Sequence, residues 1–434
     1  MACSFGFGVV AARFLGAPEL FAQIVLLVTT VDLLLVLIGL GIPDVLVRYG
    51  HQAVRYGWLK KYLLGSVLAC LSCFTTILLI WYSLSNSAGS LLGLDSFVWT
   101  VALLIIPLRW VTRVSFSILW STGRFIQRGL VDTLAPFFRL LVMLGMVTVL
   151  PSDALGLSPL TAVAAIYGLS EVFSAVISVL MLRFVSSRDH MRDHIDQEPE
   201  FEEETALELM KKFLPYAFWG VCAAFFLVLI SFSDRVMVQS AATKEVLGEF
   251  GVAYSLVNYY YVASVIVSNV LLTNQVKLWS VGQAQSVIRN ISLLSIVTAI
   301  GSVGLYFILD AAGVWIIAVT YGEAFVGGVA FFKALCFCIG MQCVYAVVGV
   351  LCPITEKPWI TALGLGLGVL FNYVASLTAS AIFGAIGVIV ATGFAYGLVI
   401  VFIVWMLRCN GILIPWVPVI FSLIVVATPL LSMV

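Results

Sequence analysis

Charge is what this chain mostly goes without. Of its 434 residues only 10% are Asp, Glu, Lys or Arg, against about 25% in a soluble globular chain. So little charge cannot cover a water-facing surface. With 62% hydrophobic residues and a mean hydropathy of +1.14, the composition points to a membrane-embedded protein. The formal net charge is +0, so no overall field draws in nucleic acid.

Histidine is scarcer still. His51, His190 and His194 are the only three, all in hydrophilic stretches, and no acid–base or nucleophilic constellation can be built from them. No catalytic residue is therefore assigned, and the chain reads as a non-enzyme. His190 and His194 stand at i,i+4, a spacing that would suit a metal, but they read as part of a solvated linker; no metal site and no cofactor is expected. A phosphate-binding loop is missing too. Gly364-x-Gly366-x-Gly368 lies inside an apolar run, with no strand before it and no lysine after it, so it reads as a close-packing helix face. ATP is then not the direct energy source.

The nine cysteines form no disulfide framework; most lie in or beside apolar runs, where a thiol is a small packing group. Cys70-x-x-Cys73 has redox or zinc spacing in the wrong setting, a lipid-buried helix. A basic n-region is absent from the start, so no cleavable signal peptide is expected.

What the chain does have is a series of apolar runs of spanning length. After a short opening helix over 1–14, spans are predicted near 19–41, 59–83, 95–120, 131–150, 159–185 and 211–235. Others follow near 249–274, 287–309, 325–352, 358–383, 385–407 and 412–433. Such runs are helices, because lipid offers backbone N–H and C=O groups no other partner. Basic residues collect in alternate loops: Arg48, Arg55, Lys60 and Lys61, then Arg124 and Arg128, then Arg183 to Lys212, then Lys277 and Arg289, Lys357 and Arg408. Loops 85–96, 151–158 and 383–387 hold none, and although Arg13, Arg235, Lys244 and Lys333 are exceptions on that side, the bias places the first set in the cytoplasm. The hydrophilic segment 186–208 is then a cytoplasmic acidic connector.

The chain also repeats itself. Phe14–Ala22 (FLGAPELFA) leads into a long helix, and Glu245–Ala253 (EVLGEFGVA) does so again about 230 residues later. Ser121–Arg124 and Ile354–Lys357, each closing a helix before a cytoplasmic turn, share that offset. Six helices separate the landmarks, so the halves enter the membrane in the same direction. The expected fold is all-α and polytopic: two parallel six-helix bundles, 1–185 (its first helix shortened) and 209–408, joined by 186–208, with one additional membrane helix over 409–434.

Particular residues sharpen this. Ala12-Arg13-Phe14-Leu15-Gly16, Gly39-Leu40-Gly41 with Leu46-Val47-Arg48, and Gly123-Arg124-Phe125 resemble the first half of the Wzx-type polysaccharide flippases. Asp234-Arg235, Gly248, Gly251–Tyr254, Tyr321–Phe325 and Gly384–Gly387 with Ala391-Thr392 resemble the second half. These flippases belong to the multidrug/oligosaccharidyl-lipid/polysaccharide exporter superfamily. The resemblance implies a transporter in the inner membrane that moves a polyprenyl-pyrophosphate-linked glycan to the outer leaflet by alternating access, for surface polysaccharide biosynthesis. It implies membrane lipids and polysaccharide polymerase or assembly proteins as further partners. A cation-coupled exporter of small molecules from the same superfamily is the alternative.

Charges inside apolar runs are the candidate functional residues, since each costs about 2.5–3.5 kcal/mol at a helix centre and must face a cavity or a partner. A pyrophosphate calls for guanidinium groups, which donate in a fork and stay charged. Arg13, Arg48, Arg139 and Arg235 are the cationic candidates, the resemblance supporting the first, second and fourth and burial supporting Arg139. Tyr254, Asn258 and Tyr261, on one stripe of their helix, could stack on sugar rings and hydrogen-bond hydroxyls. Asp32, Glu171 and Asp234 are the candidates for ion coupling. Each has a plainer reading: Arg13, Arg48 and Arg235 as headgroup anchors, Asp234 as a polar helix end, and Arg139 with Glu171 as a structural pair.

Overall fold

The structure, a computed structural model, describes residues 2–39, 96–121, 125–149, 158–185 and 206–432. Arg48, the span expected at 59–83, Cys70 and Cys73, and the connector up to residue 205 lie outside the described residues. Among those described there are helices and no strands. Nine of the helices are long and apolar enough to cross a membrane.

The first half contains α1 (Ala2–Leu15), α2 (Pro18–Gly39), α3 (Ser96–Ser121), α4 (Phe125–Val149) and α5 (Pro159–Val185). The second contains α6 (Ala206–Ala241), α7 (Lys244–Ser280), α8 (Ala284–Thr320), a 3-10 segment Glu323–Phe331, α9 (Phe332–Gly349), the single turn α10 (Leu351–Ile354), α11 (Pro358–Cys409), α12 (Trp416–Val426) and the turn α13 (Thr428–Leu431). By compactness the chain divides into one unit of residues 1–14 and 26–222, and another of 15–25 and 223–434. The first turns of α2 thus belong with the second unit, and the division falls within α6.

In the first unit α5 packs on α3 and α4. Its exposed stripe is Leu169, Val172, Val176 and Leu180, while Tyr167, Ser170, Glu171, Ser174 and Ser178 are buried. A helix at a water-facing surface would show the reverse. With hydrocarbon as the surrounding medium, apolar side chains are as well placed outside as inside, and polar ones are driven inward to find partners. The same inversion holds in α4, where Phe137, Leu141 and Leu144 are exposed and Arg139 lies on the other side.

In the second unit α9 is the buried axis, packed against α7, α8 and α11. Cys336, Cys338 and Cys343 are buried on it as free thiols, filling space as small apolar groups. The span expected at 325–352 opens with the 3-10 segment, and the one expected at 287–309 extends over all of Ala284–Thr320.

The longest helix is two. The stretch Pro358–Cys409 leaves helical geometry at Gly384, with φ 59° and ψ −142°. That conformation is open to glycine and costly for any residue with a Cβ. Asn372 and Thr392 stand 20 positions apart, about 30 Å along a straight helix, yet their side chains hydrogen-bond at 3.0 Å. The chain therefore doubles back at Gly384 into a helical hairpin, with the spans 358–383 and 385–407 as its arms. A Cβ at Gly368 would meet the Val399 side chain at 2.6 Å, so the small-residue face lets the arms close on each other. At the C-terminus the run 412–433 forms only the 11-residue α12 and a final turn. Pro429 sits at the start of that turn, where a missing N–H costs least, and cannot continue α12.

Candidate functional site

Two clusters of polar side chains stand out, one in each unit. In the first, Arg109 and Arg113 of α3, Asp32 of α2, Arg139 of α4 and Glu171 of α5 converge. Arg109 Nη1 donates to Asp32 Oδ1 at 2.7 Å, and its Nε lies 3.1 Å from Glu171 Oε1. Arg139 Nη2 donates to the same Glu171 oxygen at 2.8 Å, and its Nε donates to Ser170 Oγ at 2.7 Å. Tyr167 sits between the arginines: its hydroxyl accepts from Arg109 Nη2, and its ring lies 4.2 Å beneath the Arg139 guanidinium. The Phe7 ring lies 5.3 Å from the same guanidinium and 6.4 Å from the Tyr167 ring. Glu171 is only 7% exposed, and with two guanidiniums on one oxygen its charge is fully answered.

The second cluster is built around Asp234 and Arg235, neighbours near the end of α6. Successive residues on a helix point about 100° apart, so they part company. Asp234 Oδ1 accepts from Thr392 Oγ1 at 2.6 Å and from Asn372 Nδ2 at 3.0 Å. Asn372 Nδ2 also reaches Ser233 Oγ at 3.3 Å, and its Oδ1 accepts from Ser376 at 3.1 Å and from Thr392. Asn372, Ser376 and Thr392 are essentially inaccessible, so the carboxylate is held by neutral donors drawn from both arms of the hairpin.

Arg235 turns to α7 instead. Its guanidinium lies 4.8 Å from the Tyr254 ring, its Nε is buried without a hydrogen-bond acceptor, and no carboxylate pairs with it among the described residues. A cation–π contact is worth about 0.5–2 kcal/mol, and the buried Nε is left without a hydrogen bond.

The remaining candidates are less gathered. Arg13 is exposed near the end of α1, and Asn258 and Tyr261 lie half-buried on α7 beyond Tyr254. Reading the sequence missed Arg109 and Arg113, although two arginines at i,i+4 inside the run 95–120 were there to be seen. It also missed Asn372 and Ser376, whose neutral side chains give no such signal. Among the described residues no three His, Cys, Asp or Glu side chains form a metal-ligating group.

Solved structures share the fold. An inward-facing multidrug resistance MATE family transporter of the MOP superfamily matches with TM-score 0.64 and 14% identity, covering 95% of each chain. The lipid II flippase MurJ in an inward closed conformation matches with TM-score 0.63 and 14% identity, over all of this chain and 90% of that one. The Vibrio cholerae MATE transporter VcmN in its bent form follows at TM-score 0.58 and 11% identity, over 99% of this chain and all of that one. The fold is that of the MOP-superfamily membrane transporters, and the chain is a multi-pass membrane protein. The sequence model of the family described as "Polysaccharide biosynthesis protein" matches residues 1–272, well over half the chain. The chain belongs to that family. A search of curated proteins returned no match.

Proposed function

We propose that this protein flips a lipid-linked oligosaccharide, a polyprenyl-pyrophosphate glycan, from the cytoplasmic to the outer leaflet of the inner membrane for surface polysaccharide biosynthesis. It acts as a transporter and not as an enzyme. The two bundles, 1–185 and 209–408, rock about the site to give alternating access, and the connector 186–208 stays in the cytoplasm.

The observation that carries this reading is Arg235, a half-buried guanidinium with a buried, unbonded Nε and no ion-paired carboxylate among the described residues, resting on an aromatic ring. A double anion crossing about 30 Å of hydrocarbon needs such a group, and the Arg139 guanidinium, buried against Glu171, has little to offer it. Tyr254, Asn258 and Tyr261 lie along the same helix, where tyrosine faces suit sugar rings. Arg139 is committed to Glu171 and supports the fold. Of the three candidate acids, Asp32 and Glu171 are held in ion pairs, whereas the hydrogen bonds to Asp234 come from neutral groups and Arg235 acts on it only through space. Asp234 is therefore the residue whose charge a proton or a monovalent cation would answer during the cycle, both arms of the Gly384 hairpin responding to its occupancy.

The test is Arg235→Ala in cells that depend on this protein for surface polysaccharide. Export should fall by at least about tenfold, as for the loss of a buried charge contact, with the protein still present in the membrane at normal level. Unchanged export would sink the reading. The neutral setting of Asp234 also favours the alternative, a cation-coupled small-molecule exporter. Dye efflux that is lost in Asp234→Asn but kept in Arg235→Ala would select it.

A further inference from the structure

We propose that Arg109 and Arg113 of the first unit form a second anion site for a phosphate or pyrophosphate ester, in which the Asp32 carboxylate is a displaceable stand-in for the ligand. The flippase reading supplies the carrier of that anion; the site itself follows from charge, exposure and direction. Among the described residues three arginines, Arg109, Arg113 and Arg139, meet two carboxylates, Asp32 and Glu171, so the cluster they form holds one positive charge in excess. The excess lies on Arg113. Its Nη2 is 3.8 Å from Asp32 Oδ1, the longest contact of the group, and its side chain is 45% exposed.

The two carboxylates are held quite differently. Glu171 is 7% exposed and bound by two arginines, whereas Asp32 is 36% exposed and uses the single oxygen Oδ1 for both Arg109 and Arg113. A half-exposed ion pair contributes little and opens readily, while a buried one does neither.

The exposed side of Arg113 lies away from the exposed apolar stripe of α3. Phe97 and Leu104 mark the outward stripe of α3, and at 100° per residue Arg113 stands about 180° from Leu104, with Arg109 about 140° away. Like charges at i,i+4 repel and need a shared anion between them. Asp32 supplies one oxygen to the pair, and a phosphate ester supplies three arranged for guanidinium forks. An arriving phosphate takes over both guanidiniums and releases Asp32 to water, leaving the Arg109–Glu171 contact in place.

The experiment uses the full-length protein in nanodiscs of phosphatidylcholine, with binding of inorganic pyrophosphate and of a short-chain prenyl pyrophosphate measured by calorimetry. Asp32→Asn should raise both affinities about fivefold by removing the competitor. Arg113→Ala should lower them, Arg113→Lys should fall between, and Asp32→Asn should give no gain in the Arg113→Ala background. An affinity that Asp32→Asn leaves unchanged or weakens would overturn the proposal, as would a gain that survives without Arg113. Absence of pyrophosphate binding by both the wild type and Asp32→Asn would overturn it too. Discs containing phosphatidylglycerol should bind pyrophosphate as well as neutral ones; competition by that lipid would assign the pair to headgroups and overturn its role toward substrate. Surface polysaccharide in cells lacking the protein reports separately on the flippase reading, so the two can fail independently.

Discussion

The two units treat buried charge in opposite ways. In the first, arginine meets carboxylate: Arg139 and Arg109 share Glu171, and Arg109 and Arg113 share Asp32. In the second, an aspartate and an arginine sit side by side in sequence without a direct ion-pair contact, Asp234 taking hydroxyl and amide donors and Arg235 an aromatic face. Buried pairs such as Arg139 with Glu171 hold a unit's shape, whereas half-exposed pairs and charges set among neutral groups keep their affinity for whatever arrives from outside. Similar residues thus meet different fates, and their neighbours decide which.

The strongest way to break this contrast is Glu171→Ala. It strands the Arg139 guanidinium, leaves Arg109 to Asp32 alone, and should cost about 3–5 kcal/mol, the usual penalty for removing one member of a buried pair. Thermal unfolding of the detergent-purified protein would show it as a clear fall in Tm. A Tm unmoved by the change would mean the network is not structural. Asp234→Asn should do the reverse: with neutral partners already around it, an amide is tolerated, and Tm should stay within a few degrees while transport loses its dependence on the driving cation gradient. A collapse in Tm would show that Asp234, too, is scaffold. The smallest effect is expected at Tyr254. Phenylalanine keeps the ring under Arg235 and should leave export near normal, whereas leucine removes about 0.5–2 kcal/mol of cation–π attraction and should reduce it severalfold. Equal export from both variants would remove the ring from the account.

Much of this was legible in the sequence. Long uncharged runs fix the helices because the bilayer allows no other spanning form, and the break at Gly384 was visible between two runs that together were far too long for one crossing. Asp234, Arg235 and the buried stripe of Glu171 could be picked out because a charge in hydrocarbon is conspicuous. What could not be read was partnership. Nothing in the sequence says that Arg139 would take Glu171 while Arg235, equally embedded, would take a tyrosine ring, since that depends on which helices stand side by side. Asn372 and Ser376 were illegible for another reason. They are neutral, common in membrane helices, and acquire meaning only when the hairpin brings them to Asp234.

The ion pairs of the first unit also carry a consequence for how the chain is made. Asp32 precedes Arg109 by 77 residues, so α3 reaches the membrane with its first counter-charge already synthesised. Arg139 is in the opposite position, since Glu171 emerges 32 residues after it. Until α5 leaves the ribosome, α4 carries a guanidinium whose ionic partner does not yet exist. A lone charge there opposes insertion by about 2.5–3.5 kcal/mol. The Arg139–Glu171 pair is therefore a biosynthetic bond as well as a structural one: α4 is electrically complete only as the leading strand of a helical pair, and settles into the bilayer together with α5.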